Sequence, residues 1–166
     1  MRLIVINNAV IKGYHEFQIK PPPNILLPVT KEYGNHHDPH SCLVWIPEID
    51  NIPRDLWNHV TDEKRGERVR TIAGLPIGRV PRGLSECFWT LLENSEVGCI
   101  ECEQTGNPCK SFNPWPPQHA QGGGAVIPCS YRIQLNNSNV CDGIFKQVDE
   151  AIQKMEEKTV LQINLY

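Results

Sequence analysis

The stretch YGNHHDPHSCLVWIP, Tyr33 to Pro47, decides how the chain is read. His36, His37, Asp38, His40 and Cys42 crowd together in it as metal ligands would. Alternatively, Asn35 and Asp38 form a turn, and the apolar run from Cys42 to Ile46 is a buried strand. Zinc needs about four N or S ligands, usually supplied as two close pairs. His36 and His37 are adjacent and diverge in extended chain. Cys99-Ile-Glu-Cys102 has the spacing of one pair, with Cys109 as a third candidate. It lies on an apparent strand, however, where residues three apart face opposite sides. Cys129 and Cys141 are too widely separated to be the partner pair. The turn reading is therefore preferred, with no metal and no cofactor expected. It places the histidines on the solvent side and points Cys42 and Val44 inward, most of the cysteines being small buried hydrophobes.

Working outward, RLIVI and AVIKGYHEF read as strands separated by the turn-prone NNA. KPPPN is an extended linker. ILLPVTKEY is a further strand, with Pro28 marking an edge or a bulge. Residues 48–70 are polar and locally basic, and read as a hairpin insertion with one helical turn around Leu56 and Val60. TIAGLPIGRVP returns to strand, and a short helix over Ser85 to Glu93 sets Phe88, Leu91 and Leu92 on one side. VGCIECEQTG and AVIPCSYRIQL are strands around a Pro- and Gly-containing loop at 107–124, in which QGGGA at Gln121 to Ala125 is a turn or hinge. Asp142 can cap a helix with Ile144, Val148, Ala151, Ile152 and Met155 on one face, and TVLQINL is a candidate last strand.

With 166 residues the chain can bury a substantial core. Fourteen prolines and twelve glycines argue against a helical bundle. The net charge of −3 gives no global attraction to nucleic acid, so any such binding must be local. Seven cysteines, an odd number without framework spacing, suggest reduced thiols and an intracellular protein, nuclear or cytoplasmic. The apolar opening LIVI is too short for a signal-peptide core or a membrane span. No G-x-S-x-G, phosphate loop or H-E-x-x-H pattern is present, so the expectation is not an enzyme.

Three signatures occur in order: GYHEF at Gly13 to Phe17, N-x-x-D-x-x-x-C-L-V at Asn35 to Val44, and IGRVPRGLS at Ile77 to Ser85. Together with the tail CIECEQTG … GGGAVIPCSY, this arrangement resembles the HIRAN domain, the small β-barrel of helicase-like transcription factor and its relatives. The resemblance spans roughly Val10 to Ile133. It implies a mainly β fold, a small SH3/OB-like barrel of about six strands. A short helix would follow the V-P-R motif, and an amphipathic helix would lie near the C-terminus. Residues 1–135 would form the barrel, and 136–166 the helix and last strand packed on it.

The resemblance further implies a non-enzymatic nucleic-acid-binding module that captures single-stranded DNA at a free 3′ end. Asp38 matches the position that accepts from the 3′-hydroxyl. His37 stands where the motif usually has tyrosine, and His15 and Glu16 where an arginine–tyrosine pair is found. The expected binding residues are His15, Asn35, His37, Asp38, Arg79 and Arg82, the two arginines as backbone contacts. Net acidity favours an alternative, a protein-interaction module using the same groove for a peptide or for self-association.

Folding without metal has a direct test. Chelator treatment should leave the melting temperature unchanged, and metal analysis of purified protein should find no stoichiometric zinc.

Overall fold

The computed structural model describes residues 2–115 and 124–166. The Gln121–Gly123 part of the expected glycine turn lies outside them. In chain order the first strands are β1 (Arg2–Lys12), β2 (Leu27–Lys31), β3 (Cys42–Trp45), β4 (Val60–Asp62) and β5 (Glu67–Arg68). They are followed by β6 (Pro76–Arg79), β7 (Val97–Gln104), β8 (Cys109–Lys110), β9 (Ala125–Leu135) and β10 (Gln162–Leu165). Six of them close a barrel in the order β1-β6-β3-β2-β7-β9 and back to β1, antiparallel throughout. The fold is mainly β, as the motif order implies.

Strand alternation builds the wall. Cys42 and Val44 are fully buried while the alternating Leu43 and Trp45 are half-buried. Inside, Tyr131 is completely enclosed, and its hydroxyl donates to the Val10 carbonyl at 2.8 Å. This satisfies a polar group that would otherwise be costly to bury. The ring of Phe88 meets Tyr131 edge-on, 5.3 Å between centroids. Phe88 belongs to helix α3 (Arg82–Leu92), the third after the single-turn helices α1 (Tyr14–Phe17) and α2 (Val69–Ile72). Leu84, Phe88 and Leu91 recur at helical spacing, are fully buried, and pack α3 against β2, β3 and β7. Burying each such side chain contributes roughly 1.5–3 kcal/mol.

Several local expectations change. The NNA segment is no turn between two strands. β1 runs through it with a bulge between Ile6 and Ala9, and Asn8 takes a φ of 62°. Asparagine tolerates that left-handed conformation, so a turn-forming residue here serves a bulge. The bulge splits the work of β1: Ile4–Asn7 pairs with β10, and Lys12 pairs with Arg79 of β6. In the 48–70 insertion, the helical turn covers Arg54–Leu56, but Val60 begins a strand of the small β4–β5 hairpin. Helix α3 starts at Arg82, three residues before the expected Ser85, because Pro81 supplies the N-cap position. Asp142 is not a cap. Helix α4 (Cys141–Gln153) begins after Val140 and carries Asp142 in its first turn, where a carboxylate still suits the helix dipole. Its buried face, Ile144, Val148 and Ile152, packs against α3.

The barrel closes where β6 crosses β1, and the crossing is tight. A Cβ at Gly78 would lie 2.4 Å from the Lys12 carbonyl oxygen and 2.5 Å from Ile11 Cγ2. Backbone blocks relaxation on one side. Gly78→Ala should therefore lower stability by about 3 kcal/mol, measured as a shift of the urea midpoint at unchanged m-value.

Candidate functional site

The turn after β2 is organised by two side chains. Asn35 Oδ1 accepts from the backbone N–H of His37 at 2.9 Å and of Asp38 at 3.1 Å. Asp38 Oδ1 accepts from the His40 N–H at 3.1 Å. These are the local bonds for which Asn and Asp are favoured in turns. Asn35 Nδ2 donates in turn to Glu32 Oε1 at 2.9 Å, tying the turn to the end of β2.

Glu32 is held by Arg79. The Arg79 Nε–H donates to Glu32 Oε1 at 2.9 Å and an Nη2–H donates to Oε2 at 3.0 Å, a two-pronged pair. Arg79 Nη1 also donates to Glu16 Oε2 on α1, and the guanidinium lies over the Phe17 ring at 5.3 Å. The Arg79 bonds hold the Glu32 carboxyl down to about 2, against an ordinary 4.5, with smaller help from Asn35 and Ser41 and against the opposing effect of burial. Arg79 is driven further into its charged form by the same carboxylates. All three nitrogens of its guanidinium thus donate to carboxylates within the wall.

Beside this clamp opens a cleft of about 880 Å³. Its walls are the β1–α1 junction (Lys12, His15, Glu16), the turn (Asn35, Asp38, Ser41), and the β6–α3 junction (Arg79 to Gly83). The far side is Ser111, Trp115 and Gly124–Val126, with Lys154–Glu157 after α4. The fold therefore gathers His15, Asn35, Asp38, Arg79 and Arg82 on one cavity. His37 is exposed and does not line it, but its carbonyl accepts from Arg82 Nη2 at 2.8 Å. Arg82 Nε stands 3.7 Å from Asp38 Oδ2, the arginine side chain 72% exposed and the aspartate 21%. Of the two arginines, only Arg82 keeps most of its surface in solvent.

Sequence reasoning missed Glu32 and the Lys154–Glu157 wall. The E-x-x-N spacing of Glu32 and Asn35 was a readable local cue. The pairing with Arg79, 47 residues away, had none.

The cysteines behave as apolar filler. Cys42, Cys87, Cys102, Cys129 and Cys141 are buried. Burial pushes the Cys42 thiol up to about 12, so it stays protonated at neutral pH. Cys99 is half-buried and Cys102 fully buried, on opposite faces of β7. Among the described residues, no three His, Cys, Asp or Glu side chains converge as metal ligands, and no helix is long and apolar enough to cross a membrane.

The crystal structure of the HIRAN domain of human HLTF matches the fold with a TM-score of 0.54. The match covers 90% of this chain and 92% of that one, at 10% sequence identity. This chain has the HIRAN fold. No family model and no curated protein matches the sequence. At that identity the HIRAN likeness is one of architecture, and the side chains of the cleft must be read on their own terms.

Removing Arg79 tests the clamp. Arg79→Met should cost about 2 kcal/mol by leaving the Glu32 carboxylate without its charged donors. Because the folded-state pKa of Glu32 lies below its unfolded value, its contribution is full above about pH 4.5 and is lost as pH falls toward 2. Urea midpoints across that range should decline less steeply in the variant than in the wild type.

Proposed function

We propose that this domain is a non-enzymatic nucleic-acid-binding module whose cleft receives the 3′ end of a single DNA strand. The observation that supports it is the placement of Asp38 on the cleft wall, with one oxygen engaged in its turn and the other only loosely approached by Arg82 at 3.7 Å. An ionised carboxylate accepts from a terminal hydroxyl and repels a terminal phosphate, which is the discrimination a 3′-end reader needs. Arg82 is the phosphate contact. Arg79, neutralised by Glu16 and Glu32, holds the wall and does not meet the strand. Asn35 positions Asp38, while His15 and His37 offer rings to flanking bases.

One observation favours a second reading, a groove for a peptide or for self-association. The cleft sets Glu16, Asp38, Glu156 and Glu157 against Lys12, Arg79, Arg82 and Lys154. Such a mixed-sign lining attracts polyanionic DNA less than a uniformly basic one would.

Titration with labelled strands separates the two. Asp38→Asn keeps an amide oxygen for the His40 N–H and so preserves the turn while removing the charge. It should weaken 3′-hydroxyl ends and reduce the rejection of 3′-phosphate ends. Arg82→Ala should lower affinity evenly across sequences and flatten the salt dependence by about one phosphate contact. His37→Ala should cost about 1–3 kcal/mol if a base rests on its ring. Equal, negligible binding of every strand by folded protein at low salt would leave the peptide reading standing.

A further inference from the structure

On the other side of the turn lies an aromatic cluster that the cleft does not include. Tyr33 is 78% exposed, and its ring meets Trp89 of α3 edge-on at 5.4 Å and 70°. His40 approaches the same indole at 5.5 Å and 65°. Lys31 Nζ sits 4.9 Å over the Trp89 ring and 2.7 Å from Glu93 Oε1. The indole thus packs against a cation, itself paired with a carboxylate, and against two further rings. With Tyr33 78% exposed, most of the phenol ring is left to solvent.

The cluster is continuous with the cleft in two ways. The turn that carries Asp38 also carries Tyr33 and His40 at its ends. On α3 and its C-cap, Arg82, Glu86, Trp89 and Glu93 follow one another at helical spacing, so one face of the helix leads from the cleft to the cluster. From Arg82 to Trp89 is seven residues, about 10 Å along the axis. That length matches about three nucleotides at a stacked rise of about 3.4 Å.

We propose that Tyr33, set against Trp89, is a stacking platform for a base about three nucleotides inward from the strand end held in the cleft. The inference rests on the reading of the cleft as a 3′-end site and extends it to a second subsite. Beyond the phosphate at Arg82, bases face the helix and phosphates face outward. Glu86, exposed on the connecting face, repels phosphate and enforces that orientation. The platform tolerates any base, since each has a π-face.

The experiment uses the full chain, an eight-nucleotide oligothymidylate with a 3′-hydroxyl, and versions with one abasic site walked from the 3′ end. Wild-type protein should lose about tenfold in affinity when the abasic site falls at the third or fourth position. Tyr33→Ala should lose a similar factor on the intact strand and nothing further with the abasic site there. It should keep its preference for 3′-hydroxyl over 3′-phosphate ends. Tyr33→Phe should bind as the wild type does. Asp38→Asn should show the reverse pattern, with the end preference reduced and the abasic profile kept. A flat abasic profile, or Tyr33→Ala binding the intact strand as the wild type does, overturns the platform while the end preference still stands for the cleft. Wild-type protein that binds none of these strands overturns both.

Discussion

The ion pair of Arg79 with Glu32 and Glu16 ties three separate parts of the chain together through side chains. Arg79 is the last residue of β6 and lies where the barrel closes, opposite Lys12 of β1 and Leu43 of β3. Its side chain reaches outward to α1 through Glu16 and to the end of β2 through Glu32. Glu32 carries the bond to Asn35, and Asn35 carries the turn. One guanidinium therefore links the strand at the barrel's closure to α1 and to the turn that bears Asp38. Placing a charge at this point is tolerable because it is partly solvated and meets two carboxylates in good geometry. A lone buried arginine would be prohibitive.

The same economy explains why the cleft beside it is open. Polar side chains of its wall are occupied by structure: Asn35 by the turn and Arg79 by its carboxylates. Asp38 keeps one oxygen in only loose contact, 3.7 Å from Arg82, while the exposed Arg82 also donates to the His37 carbonyl. On the opposite side, Gly83 allows Met155 to approach closely, since a Cβ there would lie 2.6 Å from Met155 Cγ. The chain after α4 thereby becomes a wall of the cavity. Residues far apart in sequence meet there only because α3 and α4 pack face to face.

The tail after α4 also finishes the sheet. β10 pairs with the first half of β1, before the bulge, while the second half of β1 turns into the barrel. Without the Asn7–Asn8 irregularity, β1 would continue straight and could not serve both partners. A strand that bends at a bulge can belong to two surfaces at once.

The alternation of Cys42 to Trp45, the helical spacing of Leu84, Phe88 and Leu91, and the Asn35–Asp38 turn were all legible in the sequence. Each depends on neighbours within a few residues, where backbone geometry leaves few choices. The motif order extended that to the barrel itself. The role of Arg79 was not legible. From the sequence it is an arginine at a strand end, equally suited to a phosphate, and only the arrival of Glu16 and Glu32 from other elements decides that it is internal. The metal-like look of His36 to Cys42 dissolved for the converse reason: strand and turn geometry point those side chains apart, with Cys42 into the core and the histidines into solvent. Local sequence determined which residues turn and which are buried. Tertiary structure decided which charges are already paired, because pairing depends on distances across the barrel that no local pattern encodes.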